Sequence, residues 1–317
     1  MSRRAGISNV ASARRRGYNR PLMPEKLDEL AAAIADRALA RLRSEGSGKS
    51  VGARGAEADC APQGCEPCPQ IHSCGARALF EEGATRLTPI AIRTSKDLAQ
   101  VIDHTMLKPD ATREDIVKAC DEARRHGFAT VCVNPSWVEL AARLLHGSST
   151  LPIAVVAFPS GAATTSAKVF ETREAIRKGA REIDMVANIG ALKGKDYRTV
   201  LEDIAAVVGA AHPLPVKVIL EMGTLSLEEK VIGCALAKAA GAAYVKTSTG
   251  FGAGGATAED VALMRRVVGN DMGVKASGGI RTAADAKKMV EAGASRIGAS
   301  ASVAIVTGHA PGPPSRY

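Results

Sequence analysis

Residues 243–252 read AYVKTSTGFG, and residues 273–281 read GVKASGGIR. Each segment is a short apolar run that ends in a lysine and continues into a turn of small residues. Burial of an unpaired ammonium is strongly unfavourable, so Lys246 and Lys275 need partners or a chemical role. If the two strands are neighbours in a β/α alternation, the lysines lie side by side and each lowers the pKa of the other. This arrangement is one way to make an amine nucleophile.

The same alternation of strand and helix extends over residues 91–306. Eight short apolar runs occupy residues 101–104, 130–134, 153–158, 182–186, 216–221, 243–246, 273–276 and 295–298. Helices between them begin at capping-box patterns, namely Thr112-x-x-Asp115, Ser226-x-x-Glu229 and Thr282-x-x-Asp285. Eight consecutive units predict an α/β protein, a (β/α)₈ TIM barrel with a non-barrel N-terminal extension. The alternative is a doubly wound open sheet, which eight consecutive units disfavour.

Composition favours a globular protein over a membrane or nucleic-acid-binding protein. Hydrophobic residues make up 46% of the 317 residues and aromatic residues only 3%, so small aliphatic side chains must form the core. The net charge of +9 includes six arginines within residues 1–22, a segment without acidic residues. The basic charge therefore belongs mainly to the tail, and we expect no specific nucleic-acid partner. No run approaches the ~18 apolar residues of a membrane span. Because the core cysteines are interpreted as reduced thiols, we expect a cytoplasmic protein, free or enclosed in a bacterial microcompartment.

The extension divides into segments of different character. Residues 1–23 predict a basic disordered tail, with a transit peptide or a polyanion-binding arm as alternatives. Residues 24–44 predict an amphipathic helix. Such a helix resembles the encapsulation tags of bacterial microcompartment enzymes and could dock on a shell; equally, it could pack on the barrel or in a dimer contact. Residues 45–90 have linker composition, and residues 307–317 predict a loose C-terminal tail.

The seven cysteines fall into two groups. Residues 60–74 contain four of them close together: Cys60, Cys65, Cys68 and Cys74. This spacing suits a structural zinc or iron–sulfur site without a catalytic role, and the alternatives are disulfide-forming or simply exposed thiols. The remaining three lie in apolar segments and are interpreted as reduced core thiols: Cys120, Cys132 and Cys234.

Polar residues end nearly every predicted strand, and in such barrels the strand ends form the active site. Alternation along the strands points Asp184, Lys246 and Lys275 inward among apolar neighbours. The structural alternative is that the lysines form salt bridges with Asp184, Asp103 or Glu221. The turns at residues 277–281 and 298–301 place small residues before helices, where backbone N–H groups can hold an anion. Together these features predict a phosphorylated substrate.

Several of these segments resemble the deoxyribose-phosphate aldolases. They are IDHTMLKP at 102–109, VCVNP at 131–135, EIDMV at 182–186, VKTSTGF at 245–251 and VKASGGIR at 274–281. The resemblance covers about residues 95–306 and implies a class I aldolase that needs neither metal nor cofactor. It implies reversible cleavage of 2-deoxy-D-ribose 5-phosphate to acetaldehyde and D-glyceraldehyde 3-phosphate, in deoxynucleoside catabolism. It also implies a homo-oligomer, either a dimer or a tetramer.

Roles follow from the resemblance residue by residue. Lys246 is implied as the Schiff-base nucleophile, Lys275 as the lysine that depresses its pKa, and Asp184 as the carboxylate that moves protons with a water. The implied substrate-pocket residues are Asp103, Thr105, Cys132 and Thr249. The implied phosphate-binding residues are Gly250, Gly278, Gly279, Arg281, Gly298 and Ser300. Ala301 and Met222 depart from the family pattern.

Two other functions stay open at this stage. A class I aldolase acting on a different sugar phosphate would use the same lysines. Alternatively, the extension makes the chain a docked or scaffold protein whose barrel is incidental. The presence of Lys246, Lys275 and Asp184 together argues against the second alternative.

Overall fold

The computed structural model describes residues 24–46 and 92–309, and its centre is a closed barrel of eight parallel strands in sequence order. The strands are β1 (Ile102–Met106), β2 (Thr130–Val133), β3 (Leu151–Val156), β4 (Glu182–Val186), β5 (Val216–Ile219), β6 (Tyr244–Lys246), β7 (Gly273–Ser277) and β8 (Arg296–Ala299). The predicted (β/α)₈ barrel is confirmed.

Helices alternate with the strands and form the outer layer. In the described part of the chain they are α1 (Pro24–Gly46), α2 (Ser95–Ala99), α3 (Arg113–His126), α4 (Val138–Leu144), α5 (Thr165–Arg177), α6 (Ile189–Lys193), α7 (Tyr197–Ala211), α8 (Leu227–Ala239), α9 (Ala258–Val268), α10 (Ala283–Glu291) and α11 (Ser302–Thr307). Short 3₁₀ turns lie at Pro135–Trp137 and Met222–Thr224.

The predicted capping boxes are present where three of these helices begin. At the start of α3, the Thr112 hydroxyl accepts the amide N–H of Asp115, and the Asp115 carboxylate accepts the amide N–H of Thr112 at 2.9 Å. The same two reciprocal hydrogen bonds join Ser226 and Glu229 at the start of α8, and Thr282 and Asp285 at the start of α10. Each box satisfies backbone donors that the first turn of a helix leaves unpaired. The local sequence therefore fixes where these helices start.

The hydrophobic core lies mainly between the barrel and its helices, as expected for parallel strands buried on both faces. Inside the barrel, a smaller apolar cluster is formed by Leu107, Cys132, Ile153 and Val155. Much of the remaining barrel interior is filled by charged side chains, which form the site described below.

Helix α1 packs on the outside of the barrel, against α7 and α8. Its buried contact residues are alanines, Ala31 and Ala35, which let the helices approach closely. Asp28 forms a 3.3 Å ion pair with Arg198 at the start of α7. The helix predicted over 24–44 is therefore present, two residues longer, and lies on the barrel.

The predictions for residues 1–23, 47–91 and 310–317 concern parts of the chain outside the described residues, including the Cys60–Cys74 segment. Across residues 24–46 and 92–309, no helix has both the length and the apolar character needed to cross a membrane.

Candidate active site

Lys246, Lys275 and Asp184 meet inside the barrel near the carboxyl ends of β4, β6 and β7. The Lys246 Nζ donates a hydrogen bond to Asp184 Oδ2 at 2.9 Å. The Lys275 Nζ donates to the same oxygen at 2.7 Å. All three residues are buried. The structure thus brings together the three side chains to which the sequence analysis gave catalytic roles.

Strand register explains why the two lysines are adjacent. Lys246 and Lys275 are paired across β6 and β7 in the parallel ladder, so their side chains leave the sheet on the same face. On the far side of Lys275, strand β8 presents Gly298, where a Cβ atom would stand only 2.9 Å from the Lys275 Cε. The glycine therefore provides the space that the lysine side chain occupies.

Three charged residues of this interior were not singled out from the sequence: Glu182, Lys217 and Arg296. Lys217 donates to Asp184 Oδ1 at 2.9 Å and also to Glu182. Arg296 forms a 2.7 Å ion pair with Asp103 and contacts Glu182 at 3.4 Å. A signal for Lys217 and Arg296 was present, since each is a cation inside a predicted strand run, as Lys246 is. Because the sequence analysis considered residues at the strand ends, Lys217 and Arg296, which lie further from those ends, were not assigned to the site.

The two lysines of the pair have opposite electrostatic environments. Burial lowers the pKa of Lys246, with Lys275 adding to the effect against the attraction of Asp184. Burial also disfavours the charged form of Lys275, but Asp103 and Asp184 outweigh it and raise the pKa of Lys275. The prediction that each lysine lowers the other's pKa is therefore wrong for Lys275, because two carboxylates contact it. Lys275 stays protonated, and Lys246 is the amine made ready to lose its proton.

Asp184 is held as a carboxylate. Burial alone would raise its pKa, but Lys217, Lys246 and Lys275 outweigh burial and hold the pKa well below its ordinary value. The Asp184 Oδ1 atom accepts a hydrogen bond from Lys217, and Oδ2 accepts from both Lys246 and Lys275.

The predicted substrate-pocket residues occupy different depths. Asp103 is fully buried beneath the lysine pair, where it pairs with Lys275 at 2.5 Å and accepts the Thr130 hydroxyl at 2.7 Å. Cys132 is also buried, and burial raises the pKa of its thiol to about 11. The Thr105 hydroxyl donates to the Asp103 carbonyl at 2.9 Å. Asp103 thus contacts the charged groups under the site, and its assignment to the substrate pocket stays a prediction.

Thr249 lies at the rim in a contact between two strand-end loops. Its amide N–H donates to the Glu221 carboxylate at 3.1 Å, and its hydroxyl donates to the same oxygen. Glu221 has a left-handed backbone, with φ of 52°, and is buried. The sequence analysis noted Glu221 at a strand end without giving it a role, and the structure shows it holding the loop that follows Lys246.

The predicted phosphate residues lie on the loops after β6, β7 and β8. Gly278 and Gly279 are consecutive left-handed residues, with φ of 90° and 78°, a backbone that favours glycine. A Cβ on Gly255 would stand 2.5 Å from the Gly278 carbonyl oxygen, so the loops after β6 and β7 pack backbone to backbone. Gly279, Arg281 and Ser300 are exposed at this rim and Gly250 is half-buried. Gly298 instead lies within β8 beside Lys275.

The two departures from the family pattern have different settings. Met222 is buried in the core between barrel and helices. Ala301 immediately precedes α11, next to exposed Ser300.

Comparison with known proteins agrees with this geometry. The chain is 57% identical over 221 residues to the deoxyribose-phosphate aldolase of Listeria welshimeri, covering 69% of this chain and 99% of the relative. It is 58% identical over 216 residues to that of Halalkalibacterium halodurans, covering 68% and 96%. A solved tetrameric deoxyribose-phosphate aldolase from Aeropyrum pernix is 30% identical with a TM-score of 0.64, covering 75% of this chain and 97% of that one.

These similarities confirm the resemblance noted in the sequence. The model of the DeoC/LacD family aldolases matches residues 98–312, which contain every residue of the candidate site. The family model matches more than half of the chain, and the match to the Listeria welshimeri relative extends over 99% of that protein. The chain therefore belongs to the DeoC/LacD family of aldolases.

Proposed function

We propose that this aldolase reversibly cleaves 2-deoxy-D-ribose 5-phosphate to acetaldehyde and D-glyceraldehyde 3-phosphate through a Schiff base on Lys246. The observation that carries the proposal is the buried Lys246 amine, whose pKa is lowered by burial and by Lys275 while Asp184 lies 2.9 Å away. The names of the relatives support the substrate. We also propose a role in deoxyribonucleotide or deoxynucleoside catabolism.

The proposed chemistry uses side chains of the barrel together with water. The Lys246 amine adds to the C1 aldehyde of the open-chain sugar, and the carbinolamine loses water to give an iminium ion. The C3 hydroxyl then gives up its proton, the C2–C3 bond breaks, and its electron pair moves toward the iminium. Glyceraldehyde 3-phosphate leaves, and an enamine remains on Lys246. Protonation at C2 and hydrolysis release acetaldehyde and restore the amine.

Asp184 and Lys275 support these steps from fixed positions. Lys275 keeps its proton because Asp103 and Asp184 raise its pKa, so it supplies a permanent positive charge beside Lys246. The Asp184 carboxylate lies within hydrogen-bond reach of Lys246 Nζ, where it can receive and return protons by way of a water.

We assign the phosphate of the substrate to the rim formed by the loops after β6, β7 and β8. The glycines at 278 and 279 leave the backbone open there, and Arg281 is exposed immediately before α10 begins. The arginine adds a full positive charge that favours an anion, whereas the amide N–H groups of Arg281 and Thr282 already donate to the Asp285 carboxylate. Arg281→Ala should raise KM for the sugar phosphate and leave imine formation with acetaldehyde unchanged.

Borohydride trapping tests the Schiff base. The purified enzyme is mixed with acetaldehyde and borohydride, and the peptide that contains Lys246 is examined by mass spectrometry. We expect a reduced two-carbon adduct on Lys246 in the wild type and in Lys193→Ala, an exposed-lysine control, and no adduct in Lys246→Ala. Adducts spread over surface lysines would contradict the proposal. An adduct without cleavage of 2-deoxy-D-ribose 5-phosphate would favour a class I aldolase that acts on another sugar phosphate.

We further propose a cytoplasmic homo-oligomer, a dimer or a tetramer. The tetrameric relative from Aeropyrum pernix supports assembly. Light scattering gives the number of subunits, and a monomer at working concentration would contradict it. Docking of α1 on a microcompartment shell stays a prediction.

A further inference from the structure

Six charged side chains form a closed circuit inside the barrel, which we call the charge ring. Its members are Asp103, Glu182, Asp184, Lys217, Lys275 and Arg296. Around the ring, Arg296 contacts Asp103 at 2.7 Å, Asp103 contacts Lys275 at 2.5 Å, and Lys275 contacts Asp184 at 2.7 Å. Asp184 then contacts Lys217 at 2.9 Å, Lys217 contacts Glu182, and Glu182 returns to Arg296 at 3.4 Å.

The charge ring is electrically balanced. It contains three carboxylates and three cations, all of them buried. Each carboxylate already has at least two cationic neighbours within the ring, and Asp103 has a third in Lys217 at 3.9 Å, so none carries a negative charge left over for a further cation. Burial of charge is tolerated when charges are paired in this way.

Lys246 contacts the charge ring from outside its circuit. Its Nζ reaches only an oxygen that Lys275 also contacts, Asp184 Oδ2, while Lys217 faces the other oxygen. A protonated Lys246 therefore adds an unbalanced positive charge to a buried neutral group, whereas a neutral Lys246 leaves the balance intact. The ring therefore shifts Lys246 toward the neutral amine, although the direct hydrogen bond of Lys246 is to Asp184.

We propose that the charge ring as a whole sets the pH at which Lys246 becomes a nucleophile, with Lys217 and Glu182 acting as positioning residues of opposite sign. Lys217 donates a hydrogen bond to Asp184 Oδ1, so Lys246 can contact only the other oxygen, Oδ2, which it shares with Lys275. Glu182 supplies the negative charge that balances Lys217. This inference rests on the proposed Schiff-base function and adds the residues that tune it.

The groups that face Lys246 come from strands all around the barrel. Asp184 lies on β4, Lys275 on β7, and the Cys132 thiol on β2, neutral at pH 7 since its pKa is raised to about 11. Behind them lie the remaining ring members, Asp103 on β1, Glu182 on β4, Lys217 on β5 and Arg296 on β8. Glu221 follows β5 and is hydrogen-bonded to Thr249. Only the ring members change the charge balance proposed here.

The test is the pH dependence of kcat/KM for cleavage, since its acidic limb reports the ionisation of the free enzyme's essential amine. Lys217→Met leaves the ring with a net negative charge, which favours protonated Lys246. We expect the acidic limb to move up by about one pH unit or more, with an approximately tenfold loss of kcat/KM below the limb. Glu182→Gln leaves a net positive charge, and we expect the limb to move down.

The double variant Glu182→Gln/Lys217→Met restores neutrality, so its limb should return close to that of the wild type. Lys193→Met removes an exposed lysine and controls for net charge, with no shift expected. Two single variants that lose activity at every pH, or that shift in the same direction, would overturn the proposal. If Lys217→Met does not fold, Lys217→Arg must keep the wild-type limb while Glu182→Gln lowers it.

Borohydride trapping at Lys246 separates this inference from the proposed function. Absence of an adduct in the wild type refutes the Schiff base itself. An adduct in the wild type and in the variants, with no opposite movement of the limbs, refutes only the tuning by the charge ring.

Discussion

Gly298 on β8 lies so close to the Lys275 side chain of β7 that a Cβ on the glycine would stand 2.9 Å from the lysine Cε and 3.7 Å from its Nζ, although the register of the two strands pairs Gly298 with Ser277. The glycine belongs to a motif that the sequence analysis assigned to phosphate binding. Its position indicates a further role, which is to leave room for the Lys275 side chain.

Gly298→Ala should therefore displace Lys275 and impair imine formation itself. A small misplacement of a catalytic group can reduce the rate by about a hundredfold. We expect at least a tenfold fall in borohydride trapping of acetaldehyde, a substrate that carries no phosphate. Unchanged trapping with a raised KM for the sugar phosphate would instead assign Gly298 to phosphate binding alone.

Gly273→Ala should destabilise the barrel. A Cβ at this position would lie 2.1 Å from the ring of buried Tyr244, across the β6–β7 pair. Forcing an extra methyl group into a packed core costs about 1–3 kcal/mol. The matched control is Gly209→Ala on the exposed side of α7, where no atom lies within 4 Å of the added Cβ. That change should stabilise the helix by about 0.5–1 kcal/mol, and urea unfolding measures both variants.

Docking of α1 depends on its alanine face. Ala35 is buried against the barrel, whereas Ala33, on the same helix, is exposed. Ala35→Asp would bury an unpaired charge and should release the helix, seen as faster hydrogen exchange in residues 24–46. Ala33→Asp should leave exchange unchanged, and both variants should keep imine formation, because α1 lies outside the barrel. Equal exchange in the two variants would contradict this packing.

Stability should fall in acid because of Asp103 and Asp184. Both have pKa values lowered below the ordinary 3.8, mainly by Arg296 and Lys275 for the first and by Lys217 and Lys246 for the second, against the opposing effect of burial. A group with a lowered folded-state pKa stabilises the fold above its unfolded pKa, and this contribution is lost as the pH falls toward the folded value.

Between pH 5 and pH 3, the free energy of unfolding should therefore decrease by about 2 kcal/mol in urea titrations. The raised pKa values of Lys217 and Lys275 act in the opposite range. Their contribution is complete below the ordinary lysine value of 10.5 and is lost only as the pH rises through the folded values. A stability that stays constant down to pH 3 would contradict the ionised state of the two aspartates.

The sequence by itself determined the barrel, because its signals are local and repeat along the chain. Capping boxes at Thr112, Ser226 and Thr282 start helices through contacts three residues apart. Alternation within each strand was enough to direct Asp184, Lys246 and Lys275 inward, since side chains of a strand point to opposite faces in turn. The extent of the site and its chemistry could be predicted from these patterns together with the family resemblance.

Tertiary structure decided how the charges are shared. Asp103 and Arg296 are 193 positions apart in sequence, and no local pattern reveals that they pair. Barrel closure brings β8 beside β1, which completes the charge ring and separates the pKa directions of Lys246 and Lys275. The physical reason is that spacing along the chain determines which face a side chain takes, whereas an electrostatic environment depends on every charge that the fold gathers around it.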